Sequence, residues 1–287
     1  MVLPVWAMAA SPPDITARAA VVMDMASGEV LFARQPQQPL PPASTTKVLT
    51  ALVALERLNP NTRITVSESA AAVEPSRIGL HAGEVLYAQD LFYGLLLKSG
   101  NDAAEVIAQA VGGAIPTFAE LMNIRAWQIG ARHSHFANPH GLPNSDHYTT
   151  AFDLALIFRE AMQNPMFAEI VRTRSAELRV EPGYQFRGNV RWVPVRNSNR
   201  LLYSYAGNQG GKTGYTRLAR NCYVGEASRG DVNLIVSVLG STNRNFLWKD
   251  VSALFDYGFA LRDKSAPATP TLLLTGSATR NESLKAD

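Results

Sequence analysis

Apolar residues in this chain follow a strand-like pattern near both ends and a helix-like pattern between, an order that few folds accommodate. Near the start, "ARAAVVMDMASGEVLFARQ" reads as two strands joined at Ser27-Gly28, with β-branched and apolar residues on either side of the turn. Near the end, "NCYVGEASRGDVNLIVSVLG" reads as a strand, a turn at Ser228-Arg229-Gly230-Asp231, and a strand. Between them the spacing predicts a helix from about Ser44 to Leu58, closed by Asn59-Pro60. Two helical pieces follow within 88–111, broken at Ser99-Gly100-Asn101, then amphipathic helices over 114–130 and 149–163. A last helix is predicted from Arg244 to Leu261. Strands at both ends with helices between imply an α+β fold. Its antiparallel sheet is built from both chain ends, with helices packed on it and a helical subdomain alongside.

A length of 287 residues with 46% apolar side chains suffices for one large core. The net charge of +3 is spread along the chain with no basic run, which argues against a nucleic-acid partner. Cys222 is the one cysteine, so neither an intrachain disulfide nor a cysteine metal site is possible, and it reads as a small buried hydrophobe. His133, His135, His140 and His147 lack the helical spacing of a zinc protease and read as hydrogen-bonding loop residues; no metal is expected. The aromatic residues of 184–205 and 246–258 read as core.

The first residues, "MVLPVWAMAASPPD", join an apolar piece to an A-x-A-like site at Ala7 and Ala9. Residues 1–12 are therefore expected to be the remnant of an export leader or a disordered N-terminus, and no other segment approaches a membrane span of roughly 20 apolar residues. Beyond Lys264 the composition turns to Ser, Thr, Ala and Pro, so 13–263 is expected to form the folded domain. Residues 264–287 are expected to be a linker or the start of a further β module.

The stretch "PPASTTKVLTALVAL", residues 41–55, carries the chemistry. A serine hydroxyl is a poor nucleophile unless a base lies within hydrogen-bond reach, and positions i and i+3 share a helix face, so Lys47 lies over Ser44. That lysine must be neutral to accept a proton, which burial and a neighbouring cation both favour. A plain alternative exists for Ser-x-x-Lys: an N-capping serine with a solvated lysine. Two further motifs weigh against it. "KSGNDAA" at 98–104 places Ser99 and Asn101 in the break between helices, and "GGKTGYT" at 210–216 opens a strand with Lys212, Thr213 and Gly214.

In their order and separation these motifs resemble those of the low-molecular-mass penicillin-binding proteins, the serine D-alanyl-D-alanine carboxypeptidases. The resemblance runs from about Ala19 to Leu261 and includes "FANPHGL" at 136–142, "TTAFDLALI" at 149–157 and "NSNRLL" at 197–202. It implies a β-lactamase/transpeptidase-like fold and a peptidoglycan stem peptide ending in D-Ala-D-Ala as substrate. β-Lactams would act as covalent inhibitors, no cofactor would be needed, and the enzyme would work in the cell envelope, outside the cytoplasmic membrane. Ser44 would form the acyl-enzyme, Lys47 would take its proton, and Ser99 would relay a proton to the leaving amine. Asn101 would hold the substrate backbone, Lys212 and Thr213 its terminal carboxylate, and Gly214 would let it lie along the strand. The backbone N–H groups of Ser44 and Tyr215 would bind the oxyanion.

His140, in "NPHGL", is expected to orient a loop beside the cleft. Arg220 stands where the family pattern expects glycine after the K-T-G strand. A class A β-lactamase would need a loop glutamate in an E-x-x-L-N context, and 105–200 contains none. A D,D-endopeptidase shares the whole constellation, and a non-catalytic penicillin-sensing or wall-binding module could share the fold.

Overall fold

In the computed structural model, which describes residues 11–183 and 188–265, both chain ends do contribute to one sheet. From the N-terminus, β1 (Ala19–Asp24) and β2 (Val30–Arg34) form the expected hairpin. A 3₁₀ turn at Ala43–Thr46 leads into α1 (Lys47–Leu55), shorter than predicted. β3 (Arg63–Thr65), α2 (Glu68–Ala72) and β4 (Val85–Tyr87) then precede α3 (Ala88–Tyr93). A wider π-type turn, Gly94–Lys98, separates α3 from α4 (Asn101–Gly112), followed by α5 (Ile115–Ile129), α6 (Ala151–Ala161) and α7 (Pro165–Arg172). β5 (Ser175–Val180) and β6 (Arg191–Arg196) pair as a small ribbon, and α8 (Leu201–Ser204) leads to β7 (Asn208–Thr216), β8 (Arg220–Arg229), β9 (Val232–Ser241) and α9 (Arg244–Ser265).

The main sheet has the order β2-β1-β9-β8-β7, antiparallel throughout, with β1 paired to β9. Its central strands are apolar on both faces because both faces are covered. On β1, Ala19, Val21 and Met23 enter the larger core with α1, α4 and α6, while Ala20 and Val22 enter the smaller core against Leu247, Val251, Leu254 and Phe255 of α9. β9 splits in the same way, with Ile235 and Leu239 on one side and Leu234, Val236 and Val238 on the other. β7 is left as an edge, facing the helical layer that carries α1 and α4.

Not every expectation holds. The β5–β6 ribbon and α7 were not legible as such, and three aromatic residues expected in the core lie outside it. Trp192, Tyr203 and Phe246 are 57%, 42% and 40% exposed. Cations cover two of these rings instead: Arg174 and Arg196 lie 5.2 and 5.1 Å from the Tyr203 centroid, and Lys249 lies 5.6 Å from that of Phe246. Cys222 is buried as expected, and burial pushes its thiol up to about 12. The expectations for residues 1–10, for the aromatic residues within 184–187 and for 266–287 lie outside the described residues.

Candidate active site

Pro41 and Pro42 stiffen the approach to the serine, and Ala43 takes a left-handed backbone at φ 49°, which a non-glycine residue adopts at a cost of roughly 1–2 kcal/mol. The strained turn that results is 3₁₀ rather than the α-helix expected from Ser44. In a 3₁₀ turn residues i and i+3 eclipse one another, so the change of helix type tightens the pairing. Lys47 Nζ lies 3.0 Å from Ser44 Oγ. The plain alternative fails: the Ser44 side chain caps no helix, and Lys47 is fully buried.

Lys47 Nζ has two further partners, Asn101 Oδ1 at 2.7 Å and the His140 carbonyl at 2.8 Å. Asn101 is fixed in turn, its Nδ2 donating to the Glu74 carbonyl and its backbone N–H to Ser76. Burial holds the Lys47 amine well below its ordinary value, and the nearby Lys212 cation pushes the same way, with Asp102 opposing. Asp102 accepts from the backbone N–H groups of Ile78, Gly79, Leu80 and Ala103, which ties the 76–80 loop to the start of α4. A neutral amine keeps two N–H donors and one lone pair. With the donors spent on Asn101 Oδ1 and the His140 carbonyl, the lone pair is left for the Ser44 hydroxyl.

Ser99 ends the π-type turn in a left-handed conformation, φ 67°, facing β7. Lys212 Nζ donates to Ser99 Oγ and to the Thr213 carbonyl, both at 2.9 Å, and burial brings the Lys212 amine down to about 7. Thr213 Oγ1 lies 2.8 Å from Ser198 Oγ. Packing also requires glycine at 214. A Cβ there would stand 2.8 Å from Ser44 N and 3.0 Å from the Pro42 carbonyl, so glycine is what lets β7 abut the serine turn.

A cavity of about 560 Å³ opens over these groups, lined by Ser44, Ser99, Ser198, Thr213 and Tyr215 and continuing to Arg220, Arg244 and Trp248. Arg220 opens β8 opposite Thr216 with φ 59°, a left-handed backbone that explains why the family pattern expects glycine. Its side chain is exposed at the cleft wall.

Two histidines of the 133–147 loop brace the serine turn without facing the cleft. His147 Nδ1 accepts from the Ala137 N–H, so Nε2 carries the proton and donates to Thr46 Oγ1 at 2.8 Å; Thr46 in turn donates to the Ala43 carbonyl. Both ring nitrogens are used in the neutral form. Burial lowers His147 from 6.5 to about 3, and the neighbouring His140, His135 and Lys47 push the same way where they are protonated. A base depressed on folding contributes stability that is present above its unfolded value and lost as pH falls below it. Between about 6.5 and 3 each pH unit should therefore remove up to about 1.4 kcal/mol through His147 alone. Urea unfolding of the wild type and His147→Asn across that interval should show a flatter decline for the variant; parallel declines would refute the assignment.

All the sequence-predicted site residues, Ser44, Lys47, Ser99, Asn101, Lys212, Thr213, Gly214 and Tyr215, converge on this cleft. Three contributors were missed as members of the site: Ser198, the His140 carbonyl, and Glu105, whose Oε1 lies 3.0 Å from His140 Nε2. Only Ser198 and His140 carried a signal, in "NSNRLL" and "NPHGL". Among the described residues no group of three or more His, Cys, Asp or Glu side chains is placed to hold a metal, and no helix is long and apolar enough to cross a membrane.

The family model for D-alanyl-D-alanine carboxypeptidases matches residues 6–243. A D-alanyl-D-alanine carboxypeptidase of Mycobacterium tuberculosis is 39% identical over 88% of this chain and 86% of its own. The crystal structure of a Streptomyces DD-transpeptidase superposes with a TM-score of 0.82 at 31% identity, over 88% of this chain and 100% of that one. A D-alanyl-D-alanine endopeptidase of Escherichia coli is 28% identical over 76% of this chain and 69% of its own. With three motifs meeting in one cleft and a family match spanning most of the sequence, the chain belongs to the D-alanyl-D-alanine carboxypeptidase family of serine peptidases.

Proposed function

We propose that the protein removes the terminal D-alanine from peptidoglycan stem peptides through an acyl-enzyme on Ser44, outside the cytoplasmic membrane where that substrate lies. The observation that carries this reading is the pairing of Ser44 Oγ with a fully buried Lys47 amine whose other contacts are both acceptors.

Lys47, held neutral by burial and by Lys212, takes the proton as Ser44 Oγ attacks the carbonyl between the two D-alanines. The backbone N–H groups of Ser44 and Tyr215, brought together by the Gly214 contact, receive the oxyanion. Ser99, held by Lys212, gives its hydroxyl proton to the leaving amine as the C–N bond breaks and takes in exchange the proton that Lys47 had accepted, so D-alanine departs and Lys47 is neutral again. Water then hydrolyses the ester by the reverse sequence. Lys212 and Thr213 meet the terminal carboxylate; that anion stabilises the charged form of Lys212, which free of substrate titrates at about 7. The two buried lysines thus divide the work, one as base and one as cation. Asn101 holds Lys47 through its Oδ1.

The reading is tested by incubating the protein with diacetyl-Lys-D-Ala-D-Ala and measuring free D-alanine, while a fluorescent penicillin labels the enzyme and peptide mapping locates the label. Release together with label on Ser44 is the expected result, and label elsewhere or none would overturn it. The cavity reaches beyond Tyr215 to Arg220, Arg244 and Trp248, more room than a single D-alanine needs, which favours a second substrate, a cross-linked dimer. Labelling without D-alanine release from the tripeptide, but with cleavage of cross-linked muropeptides, would make the protein an endopeptidase.

A further inference from the structure

Asn101 and Glu105 stand one turn apart on the same face of α4, and both lead to Lys47. Asn101 reaches it directly. Glu105 reaches it through one residue: its Oε1 lies 3.0 Å from His140 Nε2, and the carbonyl of His140 lies 2.8 Å from Lys47 Nζ.

The imidazole between them has a defined proton arrangement. Leu142 N–H donates to His140 Nδ1 at 3.2 Å, so Nδ1 is an acceptor and the ring proton sits on Nε2, where it donates to Glu105. The pair is sheltered, with side-chain exposures of 8% for His140 and 12% for Glu105. The rest of the loop is held by its own backbone contacts. Asn138 Oδ1 accepts from the N–H groups of His140 and Gly141, and Thr50 Oγ1 donates to the Pro139 carbonyl. These bonds fix the loop at its flanks; the Glu105 bond fixes the ring of the residue whose carbonyl meets the lysine.

We infer that Glu105 is a positioning residue for acylation: by anchoring the His140 ring it keeps the His140 carbonyl on Lys47 Nζ, so that the amine lone pair points at Ser44 Oγ. The inference depends on the reading of Lys47 as the base. If the carbonyl swings away, the neutral amine is free to rotate a hydrogen toward Ser44, and the reactive orientation becomes one of several. Glu105 touches neither substrate nor serine, so its loss should lower kcat and the acylation rate while leaving KM for the peptide close to that of the wild type.

The test compares wild type, Glu105→Gln and Glu105→Leu by stopped-flow acylation with fluorescent penicillin, by kcat and KM on diacetyl-Lys-D-Ala-D-Ala, and by thermal unfolding. Glu105→Gln keeps an acceptor for the imidazole N–H and should acylate within about threefold of wild type. Glu105→Leu has no acceptor and should acylate roughly 10- to 100-fold more slowly, the scale of a misplaced catalytic group, with KM unchanged. Equal rates in wild type and Glu105→Leu would overturn the inference, as would equal impairment of both variants. Should Glu105→Leu fail to fold, nitrogen-15 NMR of the wild-type histidines decides: protonated Nε2 with unprotonated Nδ1 on His140 is expected, and the opposite tautomer overturns the arrangement. A wild type that penicillin does not label would instead refute the function itself, so the two failures are distinguishable.

Discussion

Replacing Lys47 by methionine should slow penicillin acylation of Ser44 by roughly 100- to 10,000-fold, the range for loss of a positioned general base. Methionine is unbranched, reaches as far as the lysine Cε and suits a fully buried site, so the fold should survive. What it removes is the lone pair 3.0 Å from Ser44 Oγ. It also strips a partner from Asn101 Oδ1 and the His140 carbonyl, and each orphaned buried acceptor costs about 1–3 kcal/mol, offset in part because no amine need be desolvated. The check is the second-order acylation rate of labelled penicillin beside a thermal melt. A variant that melts near the wild type and acylates as fast would show that Lys47 is not the base, leaving Lys212, which already contacts Ser99, as the group to test.

The second large effect belongs to Gly141. Its φ is 85°, and a Cβ there would stand 1.9 Å from the Ala43 carbonyl oxygen. Gly141→Ala therefore adds backbone strain to a collision with another backbone, where no flexible side chain can yield. The 138–142 loop must retreat from the serine turn and take the His140 carbonyl off Lys47. We expect a loss of about 3 kcal/mol or more, strain and overpacking together, and acylation slower by about 100-fold. Gly113 is the control. It too has a positive φ, 72°, but nothing lies within 4 Å of the added carbon, so Gly113→Ala should show the backbone strain alone, about 1–3 kcal/mol, with full activity. Urea midpoints and acylation rates of the two variants separate the terms; equal behaviour of the pair would refute the clash argument.

The contrast between those glycines marks where sequence reasoning stops. Ser44 and Lys47 were legible because their spacing puts them on one face in either helix type, and Lys212, Thr213 and Gly214 because the tripeptide completes the set of three motifs; it does not open its strand as expected, since the polar run "NQGGKTGYT" is already extended from Asn208. The sheet was legible because β1, β8 and β9 are apolar runs joined by glycine turns. The β5–β6 ribbon was not: "SAELRV" and "RWVPVR" mix charges and a proline, as suits a two-stranded ribbon with one face in water. Glu105 was illegible for another reason. On α4 it reads as one acidic residue among helix formers, and its meaning depends on a histidine 35 positions away. The 3₁₀ turn at Ser44 was equally hidden, since it comes from the strain at Ala43 and the press of Gly141 and Gly214 against it.

The edges of the main sheet bear on how the molecule meets other extended chains. A bare edge strand invites pairing with any other extended chain, including another copy of the same protein. β2 and β7 are both edges of this sheet, and they differ: β2 is partly exposed along its length, whereas β7 is more deeply buried, with the Val171 carbonyl and the Ser44 turn pressed against its face at Gly210 and Gly214. Another copy of the sheet would therefore meet β2 first, and the strand beside the cleft is the one with room for a single extended peptide.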